Sequence, residues 1–167
     1  MRYIGEDLDY DFMLKITLHG YRIIELRHQL FDDLSNGNEE RALHCAFELV
    51  DIGFAKYAFK LLKRYAAKEV GVADPDAFVI VKSLAEGYEK DKASKARGGE
   101  ADRHYLTLAV IYLARTSKNT ATKDLTERVN RQRFRREFPA VEDSVKERAK
   151  AYMQRKVEEY GREPSSD

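Results

Sequence analysis

The sequence predicts an all-α protein, and three observations predict it. Apolar residues recur at spacings of three and four along nearly the whole chain, and no stretch alternates polarity at the period of a strand. Three prolines, at positions 75, 139 and 164, are the only ones in 167 residues, so long spans are free to be helical. Hydrophobic residues make up 43% and charged residues 35%, a balance suited to helices with one buried and one solvated face. The expectation is a compact bundle of about eight helices.

The elements follow in order. A first helix is expected over residues 10–18, with Phe12, Ile16 and Leu18 apolar, interrupted at Gly20. A second over 21–34 sets Ile23, Leu26 and Leu30 on one face. Ser35-Asn36-Gly37-Asn38 is a turn, and Asn38 is a good N-cap for a third helix over 39–52, whose leading Glu39 and Glu40 complement the helix dipole. Its apolar face is Ala42, Leu43, Ala46, Leu49 and Val50. Gly53 ends it. A fourth helix over 56–70 is expected to bury Tyr57, Phe59, Leu62, Tyr65 and Ala66.

An explicit stop-and-restart signal comes next, Gly71-Val72-Ala73-Asp74-Pro75. Gly71 can adopt a positive φ and close one helix; Asp74 can cap the next, with Pro75 in its first turn, where a missing N–H costs nothing. The fifth helix, over 75–89, is expected to point Phe78, Val81, Leu84 and Tyr88 inward. Residues 90–100 are polar and glycine-ended, which predicts a loop. The sixth helix, over 103–115, is apolar all round, as befits a central core position or a helix with one side against another subunit. A seventh covers 118–131. After Pro139 an eighth, over 141–160, is strongly charged with a thin apolar stripe at Val145, Ala149, Tyr152 and Val157. The chain divides on this reading into an N-terminal extension (1–21), a helical collar-like domain (22–125) and a basic segment with a charged C-terminal helix (126–167).

Charge is uneven along the chain. Residues 1–51 carry 5 Lys/Arg against 11 Asp/Glu, residues 52–136 carry 19 against 10, and residues 137–167 carry 6 against 8. A basic middle between acidic ends attracts nucleic acid, an acidic protein surface, or the chain's own ends. The single cysteine, Cys45, excludes an internal disulfide and a multi-cysteine zinc site. No apolar run approaches the roughly 20 residues that cross a bilayer, and the acidic start lacks the apolar core of a signal peptide. A cytoplasmic protein is expected.

Chemistry-bearing motifs are missing. ATP hydrolysis requires a phosphate-cradling Gly-x-x-x-x-Gly-Lys, because backbone N–H groups and a cation must offset the triphosphate, and none of the nine glycines precedes a lysine. The four histidines, His19, His28, His44 and His104, show no zinc-ligand spacing. His44 and Cys45 are neighbours on a helix, pointing about 100° apart, so Cys45 reads as a packing residue. Asp7, Asp9 and Asp11, and the Asp32-Asp33 pair, lack the ligand and glycine spacing of a calcium loop and read as capping or solvated. No catalytic residue, metal or cofactor is assigned.

The third to seventh helices together resemble the C-terminal domain of the replication-associated recombination protein A family of AAA+ ATPases. Ala42-Leu43 opens the third helix as an Ala-Leu pair does in that family. An aromatic-rich helix with the basic pair Lys63-Arg64 follows, then Ala67-Lys68-Glu69-Val70-Gly71-Val72-Ala73-Asp74-Pro75, similar to the family's Ala-Ser-Glu-Asp-Ile-Gly-x-Ala-Asp-Pro. Leu108-Ala109-Val110-Ile111-Tyr112-Leu113-Ala114 resembles its Ala-x-Ile-Tyr-Leu-Ala helix, and Lys118 falls where the family has a lysine. The likeness covers residues 22–125. Ser117 replaces a family proline, and the last 40 residues match nothing in the pattern. The resemblance implies a collar-like module that holds an oligomer together in DNA replication, recombination or repair, without the motor.

Two basic constellations are the candidate contact surfaces. Lys56, Lys60, Lys63, Arg64 and Lys68 recur at helical spacing on the fourth helix, and a plainly solvated face competes with a binding one. Arg128, Arg131, Arg133, Arg135 and Arg136 surround Phe134, and salt bridges to the acidic ends compete with a nucleic-acid or acidic-partner site. The oligomer interface is expected on the sixth helix at Leu106, Val110, Ile111 and Leu113. The function expected is a non-catalytic homo-oligomerisation module, working with DNA or with an AAA+ ATPase on another chain. The alternative is a small nucleic-acid-binding protein with an arginine-rich surface.

Overall fold

The computed structural model describes residues 10–95, 101–137 and 142–160, and among them the fold is all-α. The helices are α1 (Tyr10–Met13), α2 (Ile23–Ser35), α3 (Glu39–Asp51), α4 (Ala55–Tyr65), α5 (Ala77–Ser94), α6 (His104–Arg115), α7 (Ala121–Phe134) and α8 (Asp143–Tyr160). A π-helical turn, Ala66–Val70, and a 3-10 turn, Gly71–Ala73, lie between α4 and α5. The chain forms two compact units, Met1–Glu127 and Arg128–Asp167. The boundary falls within α7.

In the first unit α2 packs on α3, α4 on α5 and α5 on α6, and α6 also touches α2, α3 and α4. Helix α6 is therefore the hub, which is why it is apolar on nearly all sides. Leu106, Val110 and Leu113 are 0% exposed. These three expected interface residues are core residues of their own chain: with neighbours on several sides, their burial is satisfied internally. Ile111 is half-buried, and the exposed apolar residue of this helix is Leu108 at 55%.

The predicted first helix stops at Met13. Residues 14–18, rich in β-branched side chains, instead enter a tight turn in which Thr17 N–H donates to Tyr21 O at 2.8 Å, and Ile16 pairs with Arg22 in an isolated antiparallel bridge. Its residues pack on the helices that follow. Met13 is buried, and the Phe12 ring stacks edgewise on Phe54 and Tyr57 at 4.9 and 5.0 Å. Helix α3 starts as expected, Asn38 Oδ1 accepting Arg41 N–H at 3.3 Å. Helix α4 buries a wider face than the spacing alone suggested, adding Ala55, Ala58 and Leu61.

The fourth helix does not run unbroken to Val70. Gly71 N–H donates to Ala66 O, closing a π turn that inserts one residue. Val70 thereby stays buried while Glu69 faces the start of α7, where its carbonyl accepts Asn119 N–H at 2.9 Å and its carboxylate accepts Lys123 Nζ at 2.9 Å. Gly71 has φ +52° and ψ −127°, and an ideal Cβ on it would lie 2.7 Å from the Asn119 carbonyl oxygen. Asp74 makes the cap-like turn before α5, its Oδ1 accepting Asp76 N–H at 3.2 Å, although the helix proper begins at Ala77, two residues beyond Pro75. Its Oδ2 accepts the Tyr112 hydroxyl. The Gly71–Pro75 stretch and the Ile111–Ala114 stretch of the sequence thus meet in space.

Helix α5 continues through the expected loop as far as Ser94. Ser94 Oγ donates to Asp91 O at 2.8 Å, and Asp91 Oδ2 accepts Asp102 N–H at 2.6 Å. Residues 96–100 of that expected loop lie outside the described residues. Phe78, expected inward, is exposed, because the start of α5 turns Ala77 and Val81 to the core instead.

Candidate functional site

Three features of the fold are candidate sites. The first is a cleft of about 830 Å³ between α2 and α3, lined among others by His19, Gln29, Asp33, Arg41, His44, Cys45 and Glu48. Residues 41, 44/45 and 48 share a face of α3, and residues 26, 29 and 33 share one of α2. Asp33 is 3% exposed, and its carboxylate accepts Gln29 Nε2 at 3.0 Å and faces Arg41 Nε at 3.5 Å. It is a buried, partnered acid, and the expected solvated role is corrected: α3 folds back over it. Sequence spacing held no sign of this, because Gln29 and Asp33 form an ordinary i, i+4 pair.

His19 Nδ1 pairs with Glu48 Oε1 and ties the loop after α1 to α3. His44 and Cys45 both line the cleft, His44 exposed and Cys45 buried. Burial, reinforced by the negative charge of Asp33, pushes the Cys45 thiol up to about 11. A thiol held protonated is a poor nucleophile. Among the described residues no three His, Cys, Asp or Glu side chains are placed to hold a metal ion.

The second feature is a groove of about 480 Å³ between α4 and α5, floored by Phe59 and Ala85 and edged by Lys56, Lys63, Lys82 and Lys90 with Glu86 and Glu89. It gathers Lys63 of the expected basic face with α5 lysines that lie some twenty to thirty residues further along the chain. Lys60 is exposed and Arg64 half-buried. Lys68 is exposed but sits in the π turn, so α-helical spacing from Lys60 and Arg64 does not extend to it. The edge is of mixed charge: Lys56 lies 3.7 Å from Glu89 and Lys82 lies 3.9 Å from Glu86.

The third feature is the C-terminal pair of helices. Neither α7 nor α8 has a buried residue. On α7 Leu125 and Val129 are exposed at an i, i+4 spacing. On α8 Val145, Tyr152, Met153, Val157 and Tyr160 are 41–77% exposed. Arg128, Arg131, Arg133, Arg135 and Arg136 are all exposed around Phe134, itself 65% exposed. Elsewhere in the chain cations at helix ends find carboxylates, as Arg115 does with Glu39 and Arg103 with Asp51. Arg128, Arg131, Arg135 and Arg136 make no ion pair with any described residue, so salt bridging does not account for them there.

Helix α7 ends in a Schellman-type cap: Arg136 N–H donates to Arg133 O at 3.0 Å and Glu137 N–H to Gln132 O at 2.8 Å. The geometry requires a left-handed residue at Arg136, which has φ +59°. Glycine is the usual occupant, and a side chain there costs about 1 kcal/mol. Among the described residues it is the one non-glycine at positive φ. No helix among the described residues is long and apolar enough to cross a membrane. No protein-family model and no curated protein matches the chain.

Proposed function

We propose that this protein is a non-catalytic assembly module serving DNA replication, recombination or repair, related to the collar-like domain of replication-associated recombination protein A. The observation that carries the assembly reading is helix α8. It is 18 residues long, buries nothing, and exposes an apolar stripe from Val145 to Tyr160. A lone helix of that length is marginal in water, and covering the stripe with a second copy would stabilise it. On α6 the surface left for a partner is Leu108 with Ile111, in place of the buried Leu106, Val110 and Leu113. The non-catalytic reading is supported by the α2–α3 cleft, where Asp33 is engaged by Gln29 and Arg41 and the thiol is held protonated. The setting in DNA transactions rests on the sequence resemblance alone.

Size-exclusion chromatography with light scattering on the full chain, at tens of micromolar, is expected to show an oligomer. Tyr152→Ser with Val157→Ser is expected to shift it toward monomer without loss of helical signal from the first unit. A strictly monomeric parent chain refutes the reading.

A further inference from the structure

We infer that the C-terminal end of α7 is a grip for single-stranded nucleic acid. The inference is independent of the assembly proposal, since it uses the arginines and Phe134, not the apolar stripe of α8. Arg128 and Arg131 lie one turn apart on one side of α7, Arg135 follows in the capping turn with its N–H donating to Arg131 O at 3.1 Å, and Phe134 borders Arg131. Guanidinium groups bind phosphate oxygens bidentately. An aromatic ring that solvent reaches over most of its surface adds a stacking platform, and stacking requires an unpaired base. A duplex keeps its bases in their own stack and offers that ring nothing. The ring therefore decides for a single strand over a duplex, and over an acidic protein surface, which would engage the arginines and leave Phe134 idle.

Two alternatives for the cluster fall short. Cations at a helix C-terminus offset the helix dipole, but that effect is confined to the last turn; it covers Arg131 and Arg133 and leaves Arg128, which lies before that turn, unaccounted for. Internal salt bridging is absent for Arg128, Arg131, Arg135 and Arg136 among the described residues. The chain also keeps an arginine at 136 in the left-handed conformation where glycine would be unstrained. A strained position held by a phosphate-binding side chain is expected at a contact point and has no packing purpose here, since Arg136 is exposed.

The test is fluorescence anisotropy with the full chain and labelled probes of about 15 nucleotides, a length spanning one binding site. The probes are oligo-dT, oligo-U and a duplex of the same length, with polyglutamate as competitor. Both single strands are expected to bind, and their relative affinity reports whether DNA or RNA is preferred. Log affinity should fall with log salt at a slope of about −3, four phosphate contacts each releasing about 0.7 counterion. Replacing Arg128, Arg131, Arg135 and Arg136 by alanine should abolish binding, while lysine at the same four positions should keep most of the slope. Phe134→Ala should weaken single-strand binding about tenfold with the slope unchanged, as loss of one stacked base requires. All these positions are exposed, so circular dichroism should show the parent helicity in every variant. Duplex binding as tight as single-strand binding, efficient competition by polyglutamate, no effect of Phe134→Ala, or no binding at about 50 mM salt would each overturn the inference. Light scattering on the same arginine variants should show the parent's oligomeric state, which separates this outcome from failure of the assembly reading.

Discussion

Replacing Gly71 by alanine should be among the most damaging single-atom-scale changes in this protein, for two separable reasons. The backbone there has φ +52° and ψ −127°, a region that side chains avoid at a cost of about 1–2 kcal/mol. A Cβ at Gly71 would also lie 2.7 Å from Asn119 O and 3.1 Å from Thr122 Oγ1. The first of these is backbone and cannot rotate away, so the start of α7 must shift. That shift strains the 2.9 Å bond from Asn119 N–H to Glu69 O, worth about 1 kcal/mol. The expected loss is about 2–4 kcal/mol. Gly53 supplies the control: its φ is +86°, yet nothing lies within 4 Å of its ideal Cβ. Gly53→Ala should therefore incur the conformational part alone, about 1–2 kcal/mol. With a urea m-value of about 2 kcal/mol/M for a domain of this size, Gly71→Ala should lower the midpoint by about 1–2 M, measured by circular dichroism. Gly53→Ala should lower it by about half as much. Equal midpoints for the two variants would show that the close approach of Asn119 carries no energy, and the account of why glycine stands at 71 would be wrong.

Four further outcomes follow from other contacts. Tyr112→Phe removes the donor to Asp74 and should cost about 1–2 kcal/mol in urea unfolding; because Asp74 holds the Tyr112 phenol protonated above its ordinary value of 10, the parent should also lose stability as pH rises past that value, and the variant should not share this loss. The Arg115 guanidinium, bonded to Glu39 at 2.5 and 3.1 Å, holds the Glu39 carboxyl below its ordinary value of 4.5, so its stabilisation is present above that value and lost as pH falls through the lowered one; Glu39→Gln should flatten that acid limb of the Tm profile. Cys45, with its thiol at about 11, should react with an aromatic disulfide at pH 8 at least about a hundredfold more slowly in the native chain than in urea, and equal rates would refute its burial. Gly87→Ala should destabilise by about 1 kcal/mol in spite of alanine's better helix propensity, because its Cβ would lie 2.6 Å from Tyr105 Cε1; Tyr105→Leu in the same chain should recover the loss.

Much of the fold was legible where the signal is local. Asn38 caps α3, Gly53 ends the turn after it, and the 3.6-residue pattern of α2, α3 and α4 marks their buried faces, since each of these interactions closes within a turn or two. The misread stretches share a cause. Residues 14–18 have apolar side chains at helical spacing but form a turn, the π turn at Ala66–Val70 answers to α7 some fifty residues on, and α5 outlasts its expected end by docking Asp91 to Asp102. Of the candidate surfaces, the concentration of arginine around Phe134 was legible as a local charge pattern, but its exposure was not, because ion pairs to the acidic ends competed for it until the fold left it at the surface. The α2–α3 cleft was not, because Asp33 becomes a buried acid only when α3 folds back over α2.

The amino-acid sequence by itself determined the all-α class, most helix starts and stops, and the concentration of arginine near the end of α7. These depend on dihedral preferences, capping groups and periodicity within a single segment. Tertiary structure alone decided which apolar residues are core and which stay exposed. A helix that is apolar on every side has one pattern whether it lies at the centre of its own bundle or between subunits. The placement of α6 among four neighbours made Leu106, Val110 and Leu113 core, while α8, in which no residue is buried, keeps Val145, Tyr152 and Val157 exposed.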